Sequence, residues 1–283
     1  MTHASKHAVQ VVHVFSDGPG GGNPAPIVLD ASGMSPLEMQ RIAQQYGHES
    51  GFVVAAREHE DVDYHVTFWT PLHEMSMCGH VTVGAVWLLH RLGQLDAPTV
   101  RIGTASGVVE ARVDATGAVE VAQPAGTIEA VSPDVATSII DVLGIAEDQL
   151  APLPIRNATT SRTKTLVPLV STDVLDGLTP DLERIEAVCA LAESTGLYPY
   201  AVTDTTGLVF DARQFPRSSG YPEDAATGVA AAALVTGLVA DGLVDPTAAR
   251  AIRVRQGRAM GRPSEISIRT RASGGVWLGG RVR

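Results

Sequence analysis

The chain has 283 residues, with 31 acidic against 21 basic side chains and a net charge of −10 with histidine neutral. At 45% hydrophobic and 18% charged residues it can bury a substantial core, which excludes global disorder, and the acidic balance argues against nucleic acid or an anionic membrane as partner. Two cysteines, Cys78 and Cys189, cannot build a disulfide framework, and the first ten residues lack the apolar run of a secretory signal, so a cytoplasmic setting is expected.

In chain order, residues 9–15 form a β-rich run, followed by a turn cluster of Gly, Pro and Asn at 16–24 and a short strand at 26–30. Ser35-Pro36-Leu37-Glu38 is a capping-box helix start, and Gly47 suits its end. His48-Glu49-Ser50-Gly51 then leads into a strand over 52–55, and residues 64–69 alternate as another. Residues 108–113 and 118–121 read as a hairpin. The longest apolar stretch, 225–240, is mostly alanine and shorter than a bilayer span, which predicts a buried helix. Residues 250–283 hold nine arginines against Glu265 alone and read as solvated strand faces.

The sequence repeats itself at an offset of 149 residues. Glu74 through Cys78, Gly79 and His80 matches Glu223 through Thr227, Gly228 and Val229. In each copy the loop opens an apolar stretch that ends on a glycine fourteen residues after the first, Gly93 or Gly242. At the same offset Val86 meets Val235, Leu89 meets Leu238 and Asp96 meets Asp245. Two α/β halves of similar plan follow, each presenting a loop before a central helix.

Helix N-termini favour anions, because unpaired N–H groups and the helix dipole point the same way. Two such ends across a cleft suit a carboxylated substrate; close packing of a helix on a strand is the structural alternative for the glycines. Candidates for proton transfer are Glu49, in the polar turn before a strand, His80 and Asp224. The last two also read as helix caps. Cys78, at a helix start, could act as base or nucleophile. A two-thiol racemase is disfavoured, since the second loop has no cysteine and Cys189 sits in the apolar pattern IEAVCALA. The glycines at 18–22 lack the spacing of a nucleotide loop, Gly-x-Ser-x-Gly is absent, and His48 and His80 are not at metal spacing with a cysteine or acidic pair. No metal, nucleotide or flavin is expected.

Taken together, HVFSDGPGGGNPAPIVLD (13–30), MSPLEMQRIAQQYGHESGFV (34–53), FWTPLHEMSMCGHVTVGAVWLL (68–89), SGVVEARVD (106–114) with the following QP, PEDAATGVAAAAL (222–234) and QGRAMGRPSEISI (256–268) resemble the PhzF-like family of phenazine-biosynthesis isomerases, in family order over nearly the whole length. The resemblance implies an α+β fold of two pseudo-symmetric domains, each a curled, mostly antiparallel sheet around a central helix, as in diaminopimelate epimerase. The halves are expected at 1–124, with 270–283 returning to it, and 125–269, with the site between them. It also implies a cofactor-free isomerase, a homodimer, with the family's acid/base glutamate falling on Glu49, its loop histidine on His80 and its aspartate on Asp224. Three positions depart from the family pattern: Val229 and Ala225 replace a serine and a proline, and His48 a serine before the glutamate.

The expected function is therefore a cofactor-independent isomerase of specialised, antibiotic-type metabolism. It would shift a proton and a double bond in a small unsaturated carboxylated amino acid, with Glu49, His80 and Asp224 catalytic and His48, Cys78, Gly79, Thr227, Gly228 and Val229 binding substrate. Stereoinversion at an α-carbon through Cys78, and a non-catalytic binding protein of the same fold, are the alternatives.

Overall fold

The computed structural model describes residues 7–247 and 250–283, which gather into two compact units. The first holds the described residues up to Ser16, Asn23–Ala122 and Gly279–Arg283; the second holds Asp17–Gly22 and Gln123–Leu278.

In the first unit β1 (Val9–Val14) pairs antiparallel with β2 (Asn23–Val28). The chain crosses through α1 (Pro36–Tyr46) to β3 (Ser50–Ala55), parallel to β2, and turns back antiparallel as β4 (Tyr64–Trp69) and the short β5 (Glu74–Met75). A second crossover, α2 (Gly79–Arg91), leads to β6 (Thr99–Thr104), parallel to β4, and then to antiparallel β7 (Gly107–Val113) and β8 (Val119–Gln123). The helix α2 is buried along most of its length and packs on β1, β2, β3 and β7, so the sheet curls around it. Ser35 caps α1 through the full capping box, and Gly47 ends it at φ 68°.

The second unit repeats this order. After β9 (Thr127–Ala130) and α3 (Pro133–Leu143), β10 (Arg156–Thr159) pairs antiparallel with β11 (Thr163–Leu169). A crossover through α4 (Thr172–Asp176) and α5 (Ile185–Leu191) reaches β12 (Gly196–Asp204), parallel to β11. Antiparallel β13 (Val209–Ala212) and β14 (Phe215–Pro216) follow. The crossover α6 (Gly228–Ala240) leads to β15 (Ile252–Gln256), parallel to β13, with antiparallel β16 (Ser264–Thr270) beside it and β17 (Val276–Gly279) last. Hairpin, outer crossover, antiparallel strand, central-helix crossover and antiparallel strand thus occur in the same order in both units, and α2 and α6 are both 13 residues long at the 149-residue offset. Ala230–Ala233 are fully buried, and Gly237 abuts the Leu166 side chain; small residues let the strands close on α6.

Several boundaries differ from the sequence expectation. The second strand begins at Asn23, ahead of Pro24 and Pro26, which are tolerated because β3 pairs with β2 only from Ile27. The turn 17–22 belongs to the second unit, where Gly21 lies so close to the Pro263 carbonyl that a Cβ would sit 2.0 Å from its oxygen. Gly279–Arg283 belong to the first unit, and there Arg283 and His13 exchange backbone hydrogen bonds. The arginine-rich tail is not purely a solvated face: Arg255 pairs with the buried Asp211, and Arg258 with Asp176 and Asp211. Among the described residues no helix is long and apolar enough to cross a membrane.

Cys189 lies fully buried in the core between α3, α5 and β12, and burial pushes its thiol up to about 11. Burial likewise raises Tyr198 and Tyr200. Each group keeps its proton longer in the folded state, so its contribution is complete below the ordinary ionisation range, near 9.0 for the thiol and 10.0 for the phenols, and is lost as the pH rises beyond it. Thermal unfolding at pH 8 to 11 is expected to give a Tm that holds to about pH 9 and then falls. A Tm unchanged up to pH 11 would contradict this account.

Candidate active site

Glu49 sits on the turn between the left-handed Gly47 and β3, where the Ser50 hydroxyl donates to the His48 carbonyl at 3.1 Å. His80 is the second residue of α2, which Cys78 precedes in an extended conformation at the N-cap, with no side-chain cap bond. The two elements meet because Gly51 has no side chain: a Cβ there would lie 2.4 Å from Val81 Cγ1. The contact brings Glu49 Oε2 to 3.7 Å from His80 Nε2, with the two side chains only 13% and 7% exposed. His80 Nδ1 lies 3.3 Å from Cys78 Sγ. A carboxylate, an imidazole and a thiol thus gather, all largely removed from water, at the start of a buried helix. The carboxylate can exchange a proton with a substrate carbon while the imidazole orients it.

Gly51→Ala is expected to force α2 off β3, costing about 1–3 kcal/mol and spreading Glu49 from His80. Denaturant unfolding together with activity would check it; unchanged stability and unchanged activity together would contradict the close approach.

In the second unit, Asp224 is tied to Gln214 through the backbone, and its carboxylate accepts from the Thr227 hydroxyl at 2.6 Å. Asp224 is not the helix cap; Thr227 holds that position, again without a side-chain cap bond. The Thr227 N–H is directed to Gln256 Oε1 at 3.3 Å rather than held ready for a substrate carboxylate. Gly228 is explained by packing, since a Cβ there would lie 2.6 Å from Leu278 Cδ2. Val229 and His48 are half-buried, as is Gly79.

Two residues of this network escaped sequence reasoning. Gln256, 2% exposed, donates to the Asp224 carbonyl at 2.7 Å and to Thr227 Oγ1 at 3.1 Å, and accepts from the Tyr198 hydroxyl at 2.9 Å. The alternation Ile252, Val254, Gln256 places a lone amide on a buried strand face, a signal that was available. Tyr198 sits in a strand buried on both faces and carries no comparable mark. Although His48 and His80 lack metal-ligand spacing along the chain, the ligand atoms of Glu49, Cys78 and His80 all lie within 4.8 Å of one another.

Each sheet curls on a single buried helix, α2 or α6, which defines an α+β fold. A probable proline racemase from Agrobacterium radiobacter K84 shares this fold at a TM-score of 0.60 and 13% identity, over 97% of this chain and 90% of its own. A phenazine biosynthesis protein of the PhzF family from Bacillus anthracis is nearer, at a TM-score of 0.82 and 24% identity over 97% of both chains. The profile described as "Phenazine biosynthesis-like protein" matches residues 12–278, and the chain belongs to that family, the PhzF-type isomerases. Among its relatives are an uncharacterized isomerase of Deinococcus radiodurans, 32% identical over 270 residues (93% of this chain and 86% of that one), and the trans-2,3-dihydro-3-hydroxyanthranilate isomerase of Pseudomonas fluorescens, 28% identical over 267 residues (91% and 88%).

Proposed function

We propose that this isomerase moves a proton within a small unsaturated carboxylated amino acid, shifting a double bond, with Glu49 taking and returning the proton. The observation that carries the reading is the buried carboxylate of Glu49 beside His80 at the start of α2. Glu49 removes a proton from a carbon flanked by a double bond, and the electron pair spreads into the conjugated carboxylate. Glu49, whose proton exchanges with solvent in the interval, then protonates the far carbon, so one proton is removed and one is added and no electrons are gained or lost. His80 holds the Glu49 carboxyl in place. The backbone N–H groups at the start of α2 stabilise the developing negative charge. Asp224, fixed by Thr227 and Gln256, binds a polar group of the substrate. The name of the Pseudomonas fluorescens relative fits this substrate class, and Val229, Ala225 and His48 direct the search to other members of it.

A second reading, inversion at Cα, draws on Cys78, whose sulfur lies 3.3 Å from His80 Nδ1. Incubation in D2O with trans-2,3-dihydro-3-hydroxyanthranilate and a panel of cyclic unsaturated amino acids, followed by NMR, separates the two. A double-bond shift places deuterium at a new carbon, and Cys78→Ser keeps turnover within about tenfold, far from the loss that removal of an acid/base group brings. Label confined to Cα, with turnover abolished in Cys78→Ser, would sink the proposal in favour of the second.

A further inference from the structure

We propose that Glu49, Cys78 and His80 form a three-ligand site for zinc, and that zinc is an inhibitor of the enzyme rather than its cofactor. The ligand set is a thiol, an imidazole and a carboxylate, the three side-chain types that bind zinc in proteins. It is the one place among the described residues where three such ligand atoms converge, all within 4.8 Å of one another. A tetrahedral zinc holds its ligands at about 2.0–2.3 Å, which sets sulfur, nitrogen and oxygen roughly 3.3–3.8 Å apart. Cys78 Sγ and His80 Nδ1 already stand at 3.3 Å. The Glu49 carboxylate, on a turn rather than inside an element, lies within 4.8 Å of the thiol and the ring and has to close by about 1–1.5 Å to complete the triangle.

The surroundings favour this cation over its competitors. Sulfur and imidazole ligands select zinc over magnesium or calcium, which prefer oxygen cages. The site is largely buried, with Cys78 6% exposed, so a bound ion is shielded from water on the protein side. By contrast, the exposed His65–Glu60 pair offers two ligands only. Binding replaces the S–H bond of Cys78 by a sulfur–zinc bond and releases one proton to buffer. The fourth position stays open, as in zinc sites that admit water or a small molecule.

The inhibitory consequence rests on the function proposed above, because zinc occupies the carboxylate oxygen that has to accept the substrate proton. Metal binding itself does not rest on it, and spectroscopy reads it without turnover. The metal-stripped full-length protein is titrated with CoCl2, and separately with ZnCl2 by calorimetry in two buffers of different ionisation enthalpy, with MgCl2 as control. The expected result is one cobalt per chain with a thiolate-to-cobalt charge-transfer band, displaced by zinc, together with a proton released per zinc bound and no response to magnesium. Cys189→Ser is expected to keep the band. Cys78→Ser loses it and weakens zinc by at least about tenfold, the smallest loss seen when partners of zinc ligands are removed. Glu49→Gln keeps a weaker band at altered geometry. No band in the wild-type protein, or a band that survives in folded Cys78→Ser, overturns the proposal, and circular dichroism on each variant identifies any that has failed to fold. Zinc binding without inhibition of deuterium exchange would keep the site and overturn the inhibitory role.

Discussion

Glu49→Gln is expected to lower turnover by about 10²–10⁴-fold, the range over which a positioned acid/base group acts. Glutamine has the same shape as the carboxylate and can still meet the His80 ring, but it cannot accept a proton from carbon. Glu49 lies on a turn outside the regular elements and glutamine fills the same space, so the fold is expected to tolerate the change. The prediction is therefore a split: near-normal Tm and retained binding of a carboxylated ligand by thermal shift, with deuterium incorporation from D2O collapsed. Glu49→Gln with full exchange would remove the proposed mechanism altogether. His80→Asn tests the positioning role separately. Asparagine can hydrogen-bond the carboxylate but cannot carry a positive charge. Its effect is expected as a smaller loss with a changed pH profile, whereas a purely structural role for the ring would leave the profile where it was.

The largest effect on stability is expected at the loop that carries Asp224. Arg213 and Glu223 form a bidentate pair, Nε to Oε1 at 2.9 Å and Nη2 to Oε2 at 2.8 Å, with side chains 10% and 12% exposed. The guanidinium also donates to the carbonyls of Leu175 and Leu178 at 3.1 and 2.9 Å and lies over the Phe215 ring. Glu223→Ala leaves this buried cation without its counter-charge, at a cost of about 3–5 kcal/mol. At about 2–4 °C per kcal/mol for a chain of this size, the Tm falls by roughly 6–20 °C. Because Glu223 immediately precedes Asp224, the loss also frees the loop that carries the Asp224–Thr227–Gln256 network. The paired replacement Arg213→Met with Glu223→Leu removes both charges and is expected to recover most of the stability while activity stays low. A Tm within about 2 °C of wild type for Glu223→Ala would contradict the pair's buried, unscreened character.

Much of the architecture is legible in local patterns. The capping box at Ser35 and Glu38 and the left-handed stop at Gly47 bound α1 as the residues predict. The matched loops at Cys78 and Thr227 open two helices of equal length, and Gly93 and Gly242 stand beyond their ends at φ 66° and 70°. Such signals are readable because they depend on neighbours within a turn or two of chain. Pro24 misled for the complementary reason: whether a proline breaks a strand depends on which side of the strand has a partner, and that is a property of the sheet.

The site divides along the same line. By itself the sequence determined the family, the two-unit plan and the identity of Glu49, His80 and Asp224 as candidates, because residue type and motif spacing carry that information. Only the tertiary structure decided that the Glu49 carboxylate, the His80 ring and the Cys78 thiol converge, and that Gln256 and Tyr198 lock the Asp224 loop. Those contacts join residues far apart in the chain through a strand laid against a helix at Gly51 and Val81 and through the buried face of β15. Their distances follow from packing, which sequence periodicity does not encode.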